Sequence, residues 1–228
     1  MTTAADQATE RRRDADRTRT EILDVATAEF ADRGYSGARV DEIAAKTRTT
    51  KRMIYYYFGG KEQLFTAVLE RAYGVIREAE QKLDVEHLDP VAAIRHLAEL
   101  TFDHHEAHPE FIRLVSIENI HRAEHMGKSS ILARLNSTAV AVIARILVAG
   151  RAAGVFRPDV DALDVHMLIS SYCVFRMANR HTFGALFGRD LTDRGRRAHY
   201  RRMLGDVVVA YLTGDPTAAA ELPPGGPT

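Results

Sequence analysis

The chain has 228 residues and equal numbers of acidic and basic side chains, so its formal net charge is zero. It is long enough for one large domain, or for a small domain joined to a larger one, and it is not a general polycation. Any contact with nucleic acid therefore has to come from a local patch. A lone cysteine, Cys173, excludes an internal disulfide and the sulfur-based zinc motifs, and it suits a small buried residue in a reducing cytoplasm. A polar, charged beginning without an apolar segment argues against a secretion leader, and no run of about 18 or more apolar residues is expected to span a membrane. Together these point to the cytoplasm.

Residues 1–16 lack apolar periodicity and read as a disordered basic arm. The arm carries Arg11, Arg12 and Arg13, with Arg17 and Arg19 just beyond, and suits either a solvated tail or a contact with a phosphate backbone or minor groove. From Thr18 the pattern turns helical, with Ile22, Leu23, Ala26 and Phe30 on one face and Gly34 as the stop signal. A short helix follows on Val40, Ile43 and Ala44, with Asp41 and Glu42 in the first turn, where the helix dipole favours acids. The β-branched and polar stretch Thr47–Thr50 suits a turn. The segment "KRMIYYYF" then gives about two helical turns, closed by Gly59 and Gly60. Two short helices joined by a tight turn, behind a longer supporting helix, make a helix-turn-helix.

On that last helix Ile54 and Phe58 share a face that can dock on Phe30, Ile43 and Ala44. Lys51, Arg52, Tyr55 and Tyr56 are left on exposed or flanking faces. Lys46 to Lys61 contains five Lys or Arg residues and no Asp or Glu. Basic side chains there can read guanine edges or neutralise phosphate, and tyrosine hydroxyls can donate to phosphate oxygens.

Beyond Gly60 the signal is helical throughout. A stripe runs through Leu64, Val68, Ala72 and Val75; Pro90 opens a helix toward His108, and Pro109 opens another through about 125. Further helical stretches occupy 131–153, 159–188 and 195–214, and the Ala/Pro/Gly tail from Asp215 has no core-forming power. The expected fold is all-α: a three-helix head with the helix-turn-helix over 17–61, a larger helical domain over 62–214, and a disordered tail over 215–228. The segments "MLISSYCVFRM" and "MLGDVVVAYL" are apolar around much of their circumference, which fits either a dimer seam made by residues of about 160–186 and 194–213 or burial within one subunit's own core.

Histidine pairs four apart, His104 with His108 and His121 with His125, could each share a helix face, but with no cysteine nearby no metal is expected. No nucleophile elbow, phosphate-binding glycine loop, dinucleotide fingerprint or zinc-protease helix is present, so no enzyme activity and no cofactor are expected. A helical interaction module without DNA binding is the alternative function, and the acid-free basic run argues against it.

The stretch from Thr18 to Leu64 resembles the DNA-binding domain of the TetR family of transcriptional regulators. The carriers are "RTRTEILDVATAEFADRGY", "VDEIAAKT" and "IYYYFGGKEQL". The resemblance implies a ligand-responsive regulator, in most cases a repressor, that binds a palindromic double-stranded operator as a homodimer and is released by a small organic effector. It places Thr50, Lys51 and Arg52 at base edges, with Thr49 beside them at the helix end that enters the major groove, Tyr55, Tyr56 and Tyr57 at backbone-contacting or helix-supporting positions, and Lys61 on a phosphate at a helix N-terminus; it also makes 62–214 the effector-binding and dimerisation domain. Three departures stand out. Arg48 occupies a place usually held by glycine, at a cost of about 1–2 kcal/mol if the left-handed region is needed. Arg39 replaces a common capping threonine and can contact phosphate instead. Arg52 replaces a frequent glycine. A fainter resemblance of "HPEFIRLVSIENIH" to regulators of nitrogen-heterocycle breakdown implies a small, planar, acidic effector. His105, Arg113, Asn119, Cys173 and Arg176 are the candidate residues to hold it.

Overall fold

The computed structural model describes residues 4–84 and 87–214. Ten α-helices and one short 3₁₀ turn make up these residues, with no strand among them. They are α1 (Ala4–Gly37), α2 (Val40–Lys46), α3 (Lys51–Phe58), α4 (Lys61–Gln81), α5 (Pro90–Ala107), α6 (Pro109–Ile120), α7 (Ser130–Ala152), α8 (Ala162–Ala178), α9 (Arg180–Phe187) and α10 (Arg197–Thr213).

Helix α1 starts earlier than its apolar stripe. Residues 4–16 are helical, which corrects the expected disordered arm. Ala, Gln, Glu and Arg dominate this stretch and are strong helix formers, so a helix anchored through Ile22, Ala26 and Phe30 extends backward without needing an apolar face. The side chain of Arg11 and the tail 215–228 lie outside the described residues. Gly34 has φ +71°, the left-handed geometry that ends the regular helix before one further turn.

The chain divides into two compact units, and neither ends at the expected boundary after residue 61. One comprises residues up to Gly74 with Pro109–Ala133; the other comprises Val75–His108 with Arg134 onward. The first owes its make-up to α6, which returns from later in the chain to pack on α1. Its interior holds Ile22, Ala26, Phe30, Ile43, Ile54, Leu64, Phe65 and Leu69, with Phe30 and Phe65 edge to face at 4.9 Å.

In the second unit α5 packs on α8 and α10 around Ile94, Leu97, Phe102, Ile146, Ile169, Leu204 and Val208. Ion pairs lace α5 to α10: Arg201 meets Asp103 at 3.0 Å and Glu99 at 2.6 Å, and Arg95 meets Asp206 at 2.6 Å. Gly150 on α7 has no room for a side chain, because an added Cβ would lie 1.9 Å from the Phe156 ring. Helix α7 is the one described helix long and apolar enough to cross a membrane, with a mean hydropathy of 1.7 over its best window. The sequence, read for an unbroken run of about 18 apolar residues, leads one to expect no such segment. In this chain α7 supplies Val142, Ile143, Ile146 and Leu147 to the core, as a helix of a globular domain does.

Two expected helices are shorter than periodicity suggests. Helix α6 stops at Ile120, and Arg122 and Ala123 both take φ +58°. There the Glu118 carboxylate accepts the backbone N–H groups of His125 at 3.2 Å and Met126 at 3.0 Å, a side-chain bond that replaces further helix. The stretch 159–188 breaks at Asn179 into α8 and α9.

Candidate nucleic-acid interface

The turn between α2 and α3 is built by side chains as much as by backbone. Buried Thr47 donates its hydroxyl to the Ile43 carbonyl at 2.9 Å, and its backbone N–H bonds the same carbonyl at 3.1 Å. Arg48 sits at φ +51°, so the left-handed conformation that favours glycine is occupied by a branched cation. Thr50 is the N-cap of α3: its hydroxyl oxygen accepts from the Met53 N–H at 3.3 Å. At the head of α2 the N-cap residue Arg39 makes no capping bond, and its side chain is exposed.

Helix α3 buries only Ile54 and Phe58. Lys51, Arg52, Tyr55 and Tyr56 are exposed, with Tyr56 78% accessible. Such an aromatic ring, left largely to solvent on a two-turn helix, is a candidate contact surface. Tyr57 is half-buried; its ring stands edge-on to Tyr56 at 5.4 Å and 6.4 Å from Phe58, the helix-supporting place. Thr49 is half-buried in the turn. Gly59, at φ +89°, ends α3 by donating its N–H to the Tyr55 carbonyl at 2.8 Å.

Acids from other segments reduce the basic run. Lys46 pairs with the buried Glu29 carboxylate at 2.5 Å, and Lys51 pairs with Asp41 at 3.0 Å. Burial pushes the Glu29 carboxyl up, but Lys46 and Arg33 outweigh it and hold the group below the ordinary range. Arg39, Arg48, Arg52 and Lys61 meet no carboxylate among the described residues, and they form the uncompensated part of the surface. Lys61, the first residue of α4, lies 4.9 Å above the Tyr35 ring and donates to the Ser36 carbonyl at 3.4 Å. Burial draws its pKa below the ordinary lysine value.

The candidate effector residues are divided between the two units. His105, Cys173 and Arg176 are buried in the second unit. Arg113 and Asn119 belong to the first and are exposed, with Asn119 spent on the Val115 carbonyl at 2.9 Å. Sequence spacing on α6 cannot tell a face turned inward from one turned to solvent. His105 donates its Nδ1–H to the Thr101 carbonyl at 2.9 Å, and burial lowers its pKa to about 4. Burial raises the Cys173 thiol to about 12, so it is a packing residue and not a reactive thiolate. Arg176 bonds Glu106 at 2.6 Å and lies 4.2 Å over the Phe102 ring, at the edge of a cleft of about 520 Å³ on α8, α9 and α10.

Arg77, which periodicity hides inside α4, is 4% exposed; it binds buried Glu80 at 2.5 Å and keeps an Nε–H without a partner. The same unit holds His104, lowered to about 3 by burial and by neighbouring His105, His108 and Arg77. No group of three or more His, Cys, Asp or Glu among the described residues is placed to hold a metal ion. The His104 and His108 rings lie 4.6 Å apart, while α6 ends before His121 and His125 can share a helix face.

A family model described as bacterial regulatory proteins, tetR family, matches residues 22–68, and one described as tetracyclin repressor-like, C-terminal domain, matches residues 90–208. The chain belongs to the TetR family. The HTH-type transcriptional repressor NicS of Pseudomonas putida is 38% identical to this TetR-family chain over 202 residues, spanning 89% of this chain and 95% of its own. Among solved structures, SCO4942 of Streptomyces coelicolor is 31% identical with a TM-score of 0.64, covering 83% of this chain and 97% of that one. A tetR-family protein from Rhodococcus RHA1 shares the fold at a TM-score of 0.68 and 20% identity, over 87% of this chain and 98% of that one. The TetR-family chain is thus a DNA-binding transcriptional regulator, and α2, the turn and α3 are its helix-turn-helix.

Proposed function

We propose that the protein is a homodimeric repressor that sets one α3 from each protomer into successive major grooves of a palindromic operator and leaves the DNA when a small planar acid binds. The observation that carries the DNA half is the exposed edge of Arg39, Arg48, Arg52, Tyr55 and Tyr56, where the three arginines meet no carboxylate among the described residues and both tyrosine rings are largely open to solvent. Thr50, as N-cap, and Lys51, tied to Asp41, are preset on the same helix end. In this reading Arg52 and Lys51 meet base edges, Tyr56 and Lys61 clamp phosphate, and Tyr57 supports the helix. The protein works in the cytoplasm, where its operator is.

Dimerisation through α8 and α10 is supported by apolar side chains left bare on both: Leu163, Met167 and Phe175 on one, Met203, Val207 and Tyr211 on the other. The acidic character of the effector is supported by Arg77. Glu80 already meets the charge of this guanidinium, but its unused Nε–H costs free energy until an acceptor reaches it, and a carboxylate oxygen is a strong acceptor. Neutral His105 in the same unit adds polarity without a competing charge. Effector binding lowers DNA affinity by its preference for the state in which the two heads are misplaced.

The test is a mobility shift on genomic DNA flanking the gene, with salt varied and Arg52→Ala and Tyr56→Phe alongside. A specific shift that weakens steeply with salt and in both variants supports the reading. Absence of any shift, on that DNA and on DNA selected from random sequence, overturns it in favour of a protein-interaction role. The retarded fragment then serves to screen heteroaromatic carboxylates, with Arg77→Gln expected to abolish their effect.

A further inference from the structure

Among the described residues Lys61 meets no carboxylate, yet its ammonium is placed by two neutral groups, the face of Tyr35 and the Ser36 carbonyl. Neutral partners fix a cation without cancelling its charge, and such a cation remains available to an anion. Tyr35 is itself supported from deeper in the same unit. Its ring lies 4.2 Å from His125 and 5.1 Å from Phe65, and the His125 ring stands edge-on to Phe65 at 4.9 Å. His125 is 3% exposed and Glu118 is 1% exposed, and His125 Nδ1 lies 2.7 Å from the Glu118 Oε1. The second Glu118 oxygen takes the two backbone N–H groups that hold the His125 loop closed. A carboxylate this deep is retained at a desolvation cost, and three hydrogen bonds to one short loop identify what it organises.

We infer that His125, clamped by Glu118, is a positioning residue for DNA binding: it braces Tyr35, and Tyr35 aims Lys61 at a backbone phosphate. The inference rests on the proposed role of Lys61 and extends it from the surface to the end of α6. Nothing in the helix-turn-helix itself contains this brace; it comes from Glu118 on α6 and from His125, five positions beyond the end of that helix.

A phosphate contact is independent of sequence, so a random duplex of about 30 base pairs reads it as well as an operator does. The full chain is titrated against such a duplex by fluorescence anisotropy at several salt concentrations. Lys61→Ala should reduce the slope of log K against log salt by about 0.9, the value of one phosphate contact. Tyr35→Leu and His125→Leu should each produce at least half of that loss, and neither should add to Lys61→Ala in the double variant. Tyr35→Phe, which keeps the ring, should retain the wild-type slope. Non-additivity separates bracing of Lys61 from general loosening, which would lower affinity further on top of Lys61→Ala. If Lys61→Ala lowers the slope but the His125 and Tyr35 variants do not, or if their losses add, the brace is wrong and the DNA reading stands. If Lys61→Ala leaves the slope unchanged, the role of Lys61 falls and the brace with it. If the wild type binds no duplex at all, both readings fall.

Discussion

Replacing Arg48 by glycine should stabilise the protein, while replacing it by alanine should not. Arg48 occupies φ +51° in the turn that joins α2 to α3. An L-residue with a Cβ loses about 1–2 kcal/mol in that region, which glycine recovers. Glycine also gives the unfolded chain more freedom, returning about 0.4–1 kcal/mol of the gain. The expected net benefit of Arg48→Gly is therefore about 0.5–1 kcal/mol, or roughly 1–4 °C in melting temperature for a chain of this size. Arg48→Ala removes the same exposed cation but keeps the Cβ, so it isolates the backbone effect from the charge. At an ordinary helical or extended position the order would be reversed, with glycine the worse of the two. Thermal unfolding of the full chain, followed by far-ultraviolet circular dichroism, compares the two variants directly. If Arg48→Ala is as stable as Arg48→Gly, or more so, the left-handed turn is not strained and the reasoning fails. The same pair bears on DNA binding: both variants should lower the salt slope equally if Arg48 touches phosphate.

Three other perturbations have definite outcomes. Gly150→Ala should cost about 1–3 kcal/mol by forcing the Phe156 ring off α7, and Phe156→Leu in the same chain should recover part of the loss in denaturant titrations. Acid should destabilise the second unit through His105: its folded pKa of about 4 lies below the unfolded value, so stability is intact above about pH 6.5 and falls as pH drops toward 4. That loss amounts to about 3 kcal/mol at pH 4; because His104 is depressed in the same direction, His105→Gln should make that part of a stability-versus-pH profile shallower without flattening it. Asp41→Asn, which releases Lys51 from a pair whose two side chains are both more than half exposed, should change stability by less than about 0.5 kcal/mol. It should nonetheless tighten binding to DNA in a titration at low salt, because Lys51 no longer has to exchange one anion for another.

The local signals were strong where one residue type answers to one physical demand. Gly34 and Gly59 at positive φ, Ile54 and Phe58 as the inward face of α3, and Pro90 behind the Asp89 cap all follow from backbone sterics and helical periodicity. The helix-turn-helix and the all-α class were legible for that reason. The extent of α1 was not, because helix propensity without an apolar stripe looks the same in a tail as in the extension of an anchored helix. The end of α6 was not either, since it depends on Glu118 reaching forward to His125 and Met126, and a buried glutamate cannot be told from a surface one by spacing.

Which charges are free is a tertiary fact. The run from Lys46 to Lys61 contains no acid, but folding brings Glu29 to Lys46 and Asp41 to Lys51, and among the described residues it leaves Arg48, Arg52 and Lys61 without a carboxylate. Side-chain direction likewise separated buried Arg77 and His105 from exposed Arg113 and Asn119, four polar residues that look alike in a helical pattern. The amino-acid order by itself determined the helices, their class and the recognition element, because these depend on neighbours within a few residues. The pairing of charges, the bracing of Lys61 and the burial of polar groups were decided only by packing, because they join residues that the chain keeps far apart.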